Sequence, residues 1–135
     1  LRLFGAHLGH KNLIYPTADI WAPWLLTTGD VVTIADGVEV YNPGGVTLDH
    51  HAILSQGSFI CGATHDYNSS AFPMISKPIR VGAYGWICAR AVVLPGVNVG
   101  EGAVLGAAAV ASCDLASWTV YAGNPARKVG ERKRH

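Results

Sequence analysis

At 135 residues the chain has the length of one domain. Half of it is hydrophobic and only 14% is charged, with a formal net charge of +1. That balance excludes a global field that would draw in nucleic acid, and calls for a large dry core or a surface covered by a partner. No run reaches the ~18 apolar residues of a membrane span. Cys61, Cys88 and Cys113 are odd in number and form no C-x-x-C pair. They suit packed thiols in a reducing, cytoplasmic setting better than a disulfide framework or a zinc site. No signal-peptide pattern is read in these residues, and the chain opens on Leu1 rather than Met, which leaves room for a missing N-terminal segment.

From the N-terminus, large side chains recur in triplets six residues apart: Leu8, Ile14, Ile20; Thr28, Ile34, Val40; Leu48, Leu54, Ile60. Each jump between these triplets is eight residues, a two-residue insertion. After a gap the frame returns without insertions at Val81, Ile87, Val93, Val99, Leu105 and Ala111. Four places beyond each of the first five of these stands a small or modest residue: Gly85, Ala91, Val97, Ala103 and Ala109. An amphipathic helix needs spacings of three and four, and a half-buried strand alternates throughout. A period of six instead suits a triangular coil of ~18 residues per turn, in which the aliphatic side chain fills the prism and the small residue fits near the corner. Five triplets predict an all-β parallel helix of about five coils over residues 1–126. An ordinary β-sandwich would have to produce this spacing by accident.

The frame holds as far as Thr64 and is abandoned at His65. Ile60 and Val81 are 21 residues apart, and "HDYNSSAFPMISKP" between them is rich in turn formers. We therefore expect an excursion loop over 65–79, leaving the prism at a place where a rigid scaffold displays chemistry. Asn42, in "YNPGG", reads first as a turn residue before Pro-Gly-Gly. Five of the ten Lys and Arg fall in the last nine residues (Arg127, Lys128, Arg132, Lys133, Arg134), so 127–135 reads as a short basic tail.

The repeat resembles the [LIV]-[GAED]-x-x-[STAV]-x hexapeptide of left-handed parallel β-helix proteins. More closely, "IWAPWLLTTGD", "THDY", "KPIRVGAYGWICARAVVLPGVNVGEGAVLGAAAV" and "WTVYAGNPARKV" resemble the hexapeptide acetyltransferases that modify sugars. Among these are the galactoside and maltose O-acetyltransferases and above all the colanic-acid-type (exopolysaccharide) enzymes. The resemblance implies a left-handed coil, an exception to the usual crossover hand. It also implies transfer of an acetyl group from acetyl-CoA to a saccharide hydroxyl, and a homotrimer with active sites shared between neighbouring coils.

The same resemblance assigns roles. His65 matches the histidine of the family's TH[PD] motif, its general base. An alcohol is a poor nucleophile until its proton is taken, and imidazole is well matched to that task. Asn42, Asp66 and Tyr67 become candidates for acceptor binding, with Asp66 also able to orient His65 or simply shape a turn. Trp86-Ile87-Cys88-Ala89 matches a W-I-G-[SAG] segment beside the pantetheine arm, with a backbone N–H near Ala89 facing the oxyanion. Ala107 and Ser112 match positions lining the coenzyme, and Arg127 and Lys128, after Gly123-Asn124-Pro125-Ala126, would face its phosphates. The Gly-Asn-Pro-Ala stretch also reads as the end cap that a solenoid requires.

Three departures stand out: Leu25 where relatives read Asn, Cys88 where they read Gly, and Ser112-Cys113 in place of a Thr/Val-Lys pair. Cys88 as a nucleophile would need an activating base. The rival readings are a non-catalytic scaffold, another acyl donor, an amine acceptor, and a metal enzyme like the γ-class carbonic anhydrases. The last would need His50, His51 and His65 to converge; the acetyl-transfer reading requires no metal.

Overall fold

The computed structural model describes residues 1–135. Short strands stack into three parallel sheets that form the faces of a triangular prism. Sheet I contains Leu26–Thr28, Val46–Leu48, Ile79–Val81 and Asn98–Val99, extended by single bridges from His7 and Leu115. Sheet II stacks Leu13–Ile14, Thr33–Ile34, Ile53–Leu54, Trp86–Ile87, Val104–Leu105 and Thr119–Ala122. Sheet III stacks Asp19–Ile20, Glu39–Tyr41, Phe59–Cys61, Val92–Val93 and Val110–Ala111. The chain visits I, II and III in turn, so each triplet of the sequence frame is one coil.

Register explains why the six-residue period works. Ile14, Ile34, Leu54, Ile87 and Leu105 lie directly over one another in sheet II. Ile20, Val40, Ile60, Val93 and Ala111 do the same in sheet III. Both columns point inward, and Ile34, Leu54, Ile87 and Leu105 are completely buried. The small positions also face in: Ala91, Ala103 and Ala109 are fully buried beside the aliphatic column. Larger residues there would collide within a core packed at crystal-like density. Ser58 takes one of these inner positions, and its hydroxyl is buried with no hydrogen-bond partner.

The corner between sheets I and II carries a second ladder. Val31, His51, Tyr84, Gly102 and Trp118 all have φ between 55° and 67°. The N–H of each donates to a carbonyl of the coil before it, at His10, Asp30, His50, Ala83 and Glu101 respectively. Left-handed backbone is costly for residues with a Cβ, and for Val31 especially; these regular bonds offset it. Gly102 is the one glycine in the row, and a Cβ there would enter the Trp118 ring. His51 and Tyr84 stack at 4.6 Å along this edge, so the paired histidines of "LDHHA" are exposed corner residues.

Two expected boundaries shift. The excursion expected over 65–79 does leave the prism, and it does so as a hairpin. Ala63–His65 pairs antiparallel with Met74–Ser76, making a hairpin that leaves the corner between sheets III and I. Ile79 is already back in sheet I beside Val46, so the prism resumes two residues before Val81. The segment 127–135 is not simply a tail. Arg127–Glu131 is a strand, antiparallel to Thr119–Ala122, that covers the end of sheet II. The guanidinium of Arg132 donates to the carbonyls of Tyr84 (2.6 Å) and Gly102 (3.3 Å) and lies 5.6 Å from the Trp118 ring centre. The end-cap reading of Gly-Asn-Pro-Ala therefore describes this segment better than a free basic tail. No helix is long and apolar enough to cross a membrane.

Candidate active site

His65 ends the first strand of the hairpin, exposed to solvent. Its Nδ1 lies 2.9 Å from the carbonyl oxygen of Phe72, and its ring stacks on the Phe72 ring with centres 5.3 Å apart and planes 16° from parallel. A carbonyl can only accept, so Nδ1 carries the hydrogen of this bond, and in the neutral form of the ring Nε2 is then the acceptor. Sequence reasoning missed Phe72; an aromatic residue in a loop carried no sign that it would hold a histidine.

Asp66 does not orient His65. Its Oδ1 accepts the N–H of Asn68 at 3.0 Å, shaping the hairpin turn. Tyr67 is 79% exposed. Asn42, expected as an acceptor ligand, is fully buried. Its Oδ1 accepts from Ala22 N and its Nδ2 donates to Ala22 O, both at 2.9 Å, clamping the corner of one coil to the next. That engagement removes it from the surface an acceptor would reach.

Trp86 lies on the outer face of sheet II, between Ile53 and Val104 in register. Its indole N–H donates to Ser55 Oγ at 2.9 Å, a second contact the sequence did not signal. Ala89 and Ala107 follow one coil apart at the corner between sheets II and III, where the N–H of Ala108 donates to the Ala89 carbonyl. The Ala89 N–H itself makes no hydrogen bond within the chain. Next to it, burial pushes the Cys88 thiol above its ordinary 9.0, so it is held as the weakly reactive thiol. Ser112 is exposed just past the last strand of sheet III. In the covering strand, Lys128 Nζ pairs with Glu131 at 3.1 Å and Arg127 donates to the Ala126 carbonyl.

The candidates thus occupy two different edges of the prism. His65, Asp66 and Tyr67 stand at the III–I edge; Ala89 and Ala107 stand at the II–III edge, with Trp86 on the adjoining face. One chain does not bring the histidine and the Ala89 N–H together. His50 and His51 lie at the third edge, apart from His65, and no three His, Cys, Asp or Glu side chains are grouped to hold a metal ion.

No family model matches the sequence. Over 132 residues, however, it is 39% identical to a protein of Escherichia coli K12 named "Putative colanic acid biosynthesis acetyltransferase WcaF", covering 98% of this chain and 72% of that protein. The chain belongs to the hexapeptide-repeat acetyltransferases. It is 28% identical to the galactoside O-acetyltransferase of the same organism, covering 96% of this chain and 57% of the relative. Among solved structures, a hexapeptide-repeat acetyltransferase of Vibrio cholerae in complex with acetyl coenzyme A superposes with a TM-score of 0.92 at 28% identity. That match covers 98% of this chain and 74% of the other. As a hexapeptide-repeat acetyltransferase the chain is an enzyme, and its prism is the left-handed parallel β-helix.

Proposed function

We propose that this acetyltransferase moves an acetyl group from acetyl-CoA to a saccharide hydroxyl by direct transfer, with His65 as general base. The observation that carries the reading is the bond from His65 Nδ1 to the Phe72 carbonyl, which leaves Nε2 free to accept a proton. As the hydroxyl oxygen attacks the thioester carbonyl, Nε2 takes its proton. The tetrahedral oxyanion then accepts the unpaired Ala89 N–H. Collapse breaks the C–S bond, and the imidazolium returns its proton to the departing coenzyme thiolate. No covalent acyl-enzyme forms, which agrees with the protonated state of Cys88.

Because His65 and Ala89 stand at different edges, the proposal requires two copies, the III–I edge of one facing the II–III edge of the next. A closed homotrimer provides three such sites with one kind of interface. Trp86, Ala107 and Ser112 would then line the coenzyme, with Arg127 and Lys128 near its phosphates. A cytoplasmic setting belongs to the same reading, and the three free cysteines favour it.

The test follows thiol release from acetyl-CoA across a panel of saccharides, for wild type and His65→Ala. Loss of about 10²–10⁴-fold in turnover is expected for the variant. Equal turnover in the two would overturn the assignment, and release only with amine-bearing sugars would move the acceptor from hydroxyl to amine.

A further inference from the structure

The outer face of sheet III carries an exposed aromatic group that the reaction above does not use. Trp21 and Tyr41 each stand one residue beyond the paired Ile20 and Val40, so they occupy the same place on successive coils. Their rings meet edge to face with centres 5.3 Å apart, and Trp24 lies 6.4 Å from Trp21. Trp21 is 54% exposed and Trp24 56%. Large aromatic rings left in water at this density mark a binding surface more often than chance.

Beside the rings, Asp19 and Glu39 face each other in register on adjacent strands. Both are exposed, and neither makes a salt bridge or a side-chain hydrogen bond. Like charges opposite one another destabilise a sheet, yet none of the ten Lys and Arg side chains is set against this pair. With Trp21, Tyr41 and Phe59 the two carboxylates line a shallow concavity of about 180 Å³. Aromatic faces carry a negative quadrupole that attracts the C–H face of a pyranose ring, and ionised carboxylates accept from several hydroxyls at once. The pairing suits a neutral, hydroxyl-rich ligand.

The concavity is continuous with the proposed catalytic hairpin. Tyr41 Oη donates to Met74 Sδ at 3.5 Å, and Met74 lies directly opposite His65 across the hairpin. Cross-strand partners project to the same side. A line of contact therefore runs from Trp21 through Tyr41 and Met74 to His65.

We propose that Trp21 and Tyr41, flanked by Asp19 and Glu39, form a docking track for sugar units of an oligosaccharide acceptor beyond the unit acetylated at His65. The proposal rests on the acetyl-transfer reading and narrows its acceptor from any saccharide to a chain of several units.

The experiment measures calorimetric affinity for mono- to tetrasaccharides of glucose and galactose, using wild type, His65→Ala and the double variant Trp21→Ala/Tyr41→Ala. Wild type and His65→Ala should both bind tetrasaccharide about tenfold tighter than monosaccharide, the scale of one to two ring-stacking contacts. The double variant should lose that gain while its monosaccharide affinity is unchanged. Affinity that does not depend on chain length, a length gain that survives in the double variant, or no binding of any of these sugars would each overturn the track. A change of assembly mass in the double variant by sedimentation would also overturn it, because the surface would then be a contact between copies. Failure of the acetyl-transfer reading is separate: it appears as undiminished thiol release by His65→Ala.

Discussion

The Nδ1 of His65 and the carbonyl oxygen of Phe72 are 2.9 Å apart, and the two rings are stacked face to face. A single residue thus fixes both the tautomer and the tilt of the imidazole. Its backbone does the first and its side chain the second. The two contributions separate by mutation. Phe72→Ala keeps the carbonyl and removes the ring, so we expect kcat to fall by about tenfold through lost orientation, with acceptor KM little changed. Phe72 is 56% exposed, so urea stability should stay within about 0.5 kcal/mol of wild type. Unchanged kcat would mean that the carbonyl alone positions the base.

Cys88 sits beside the proposed oxyanion donor, yet burial pushes its pKa up and keeps the sulfur protonated. Cys88→Ala should retain most of the wild-type turnover. Iodoacetamide followed by peptide mapping should label exposed Cys113 well before Cys88 at neutral pH. Preferential labelling of Cys88 would contradict the assigned shift.

Ser58 is the one inward small position that brings a polar atom into the prism without a partner. Its backbone is bonded on both sides, to Ser55 and Glu39, so only the hydroxyl is at issue. Alanine occupies the corresponding place one coil later, at Ala91. Ser58→Ala should therefore stabilise the fold by about 1 kcal/mol, the cost of a buried unsatisfied group. A lower urea midpoint in the variant would show that the hydroxyl has a partner after all.

Asp30 gives the fold an acid-sensitive component. The His10 N–H donates to its Oδ1 at 2.7 Å, and this bond holds the carboxyl below the ordinary 3.8; the imidazoles of His10 and His50 nearby act in the same direction. A depressed folded-state value stabilises the protein above the unfolded value, and the contribution is lost as pH falls through the folded one. The difference in urea midpoint between wild type and Asp30→Asn should be largest at neutral pH and shrink as pH falls below the ordinary carboxyl value of 3.8. A constant difference would show that the bond does not depend on the charge.

The sequence made the coil count and the interior columns readable because one inward residue per strand suffices to mark a three-sided solenoid. Leu54 and Ile87 are in register although 33 residues separate them. The corner residues were less legible. Nothing in Val31, His51 or Tyr84 as side chains announces a left-handed backbone; the inter-coil N–H ladder imposes it. The hairpin was read only as a gap, since Met74–Ser76 is exposed throughout and shows no alternation to declare a strand. Asn42 misled for a related reason. An Asn before Pro-Gly-Gly signals a turn but not what its amide will hold, and here that partner is Ala22, twenty residues back. Of the candidate site, His65 was visible through its place at the break, whereas Phe72 and Ser55 act through contacts made only once the chain has folded.

The hairpin of residues 63–76 also bears on how such an enzyme can vary. The coil that contains it brings Ile53 and Trp86 into register across 33 residues, where the two coils before it span 20. Chain-closure entropy grows only with the logarithm of length, so the longer circuit costs about 0.4 kcal/mol more than an uninterrupted one. The stack above and below registers only that Cys61 and Ile79 arrive one level apart. Almost any segment whose ends meet that condition would be tolerated there, so the hairpin that carries the proposed base can be lengthened, shortened or replaced without renegotiating the rest.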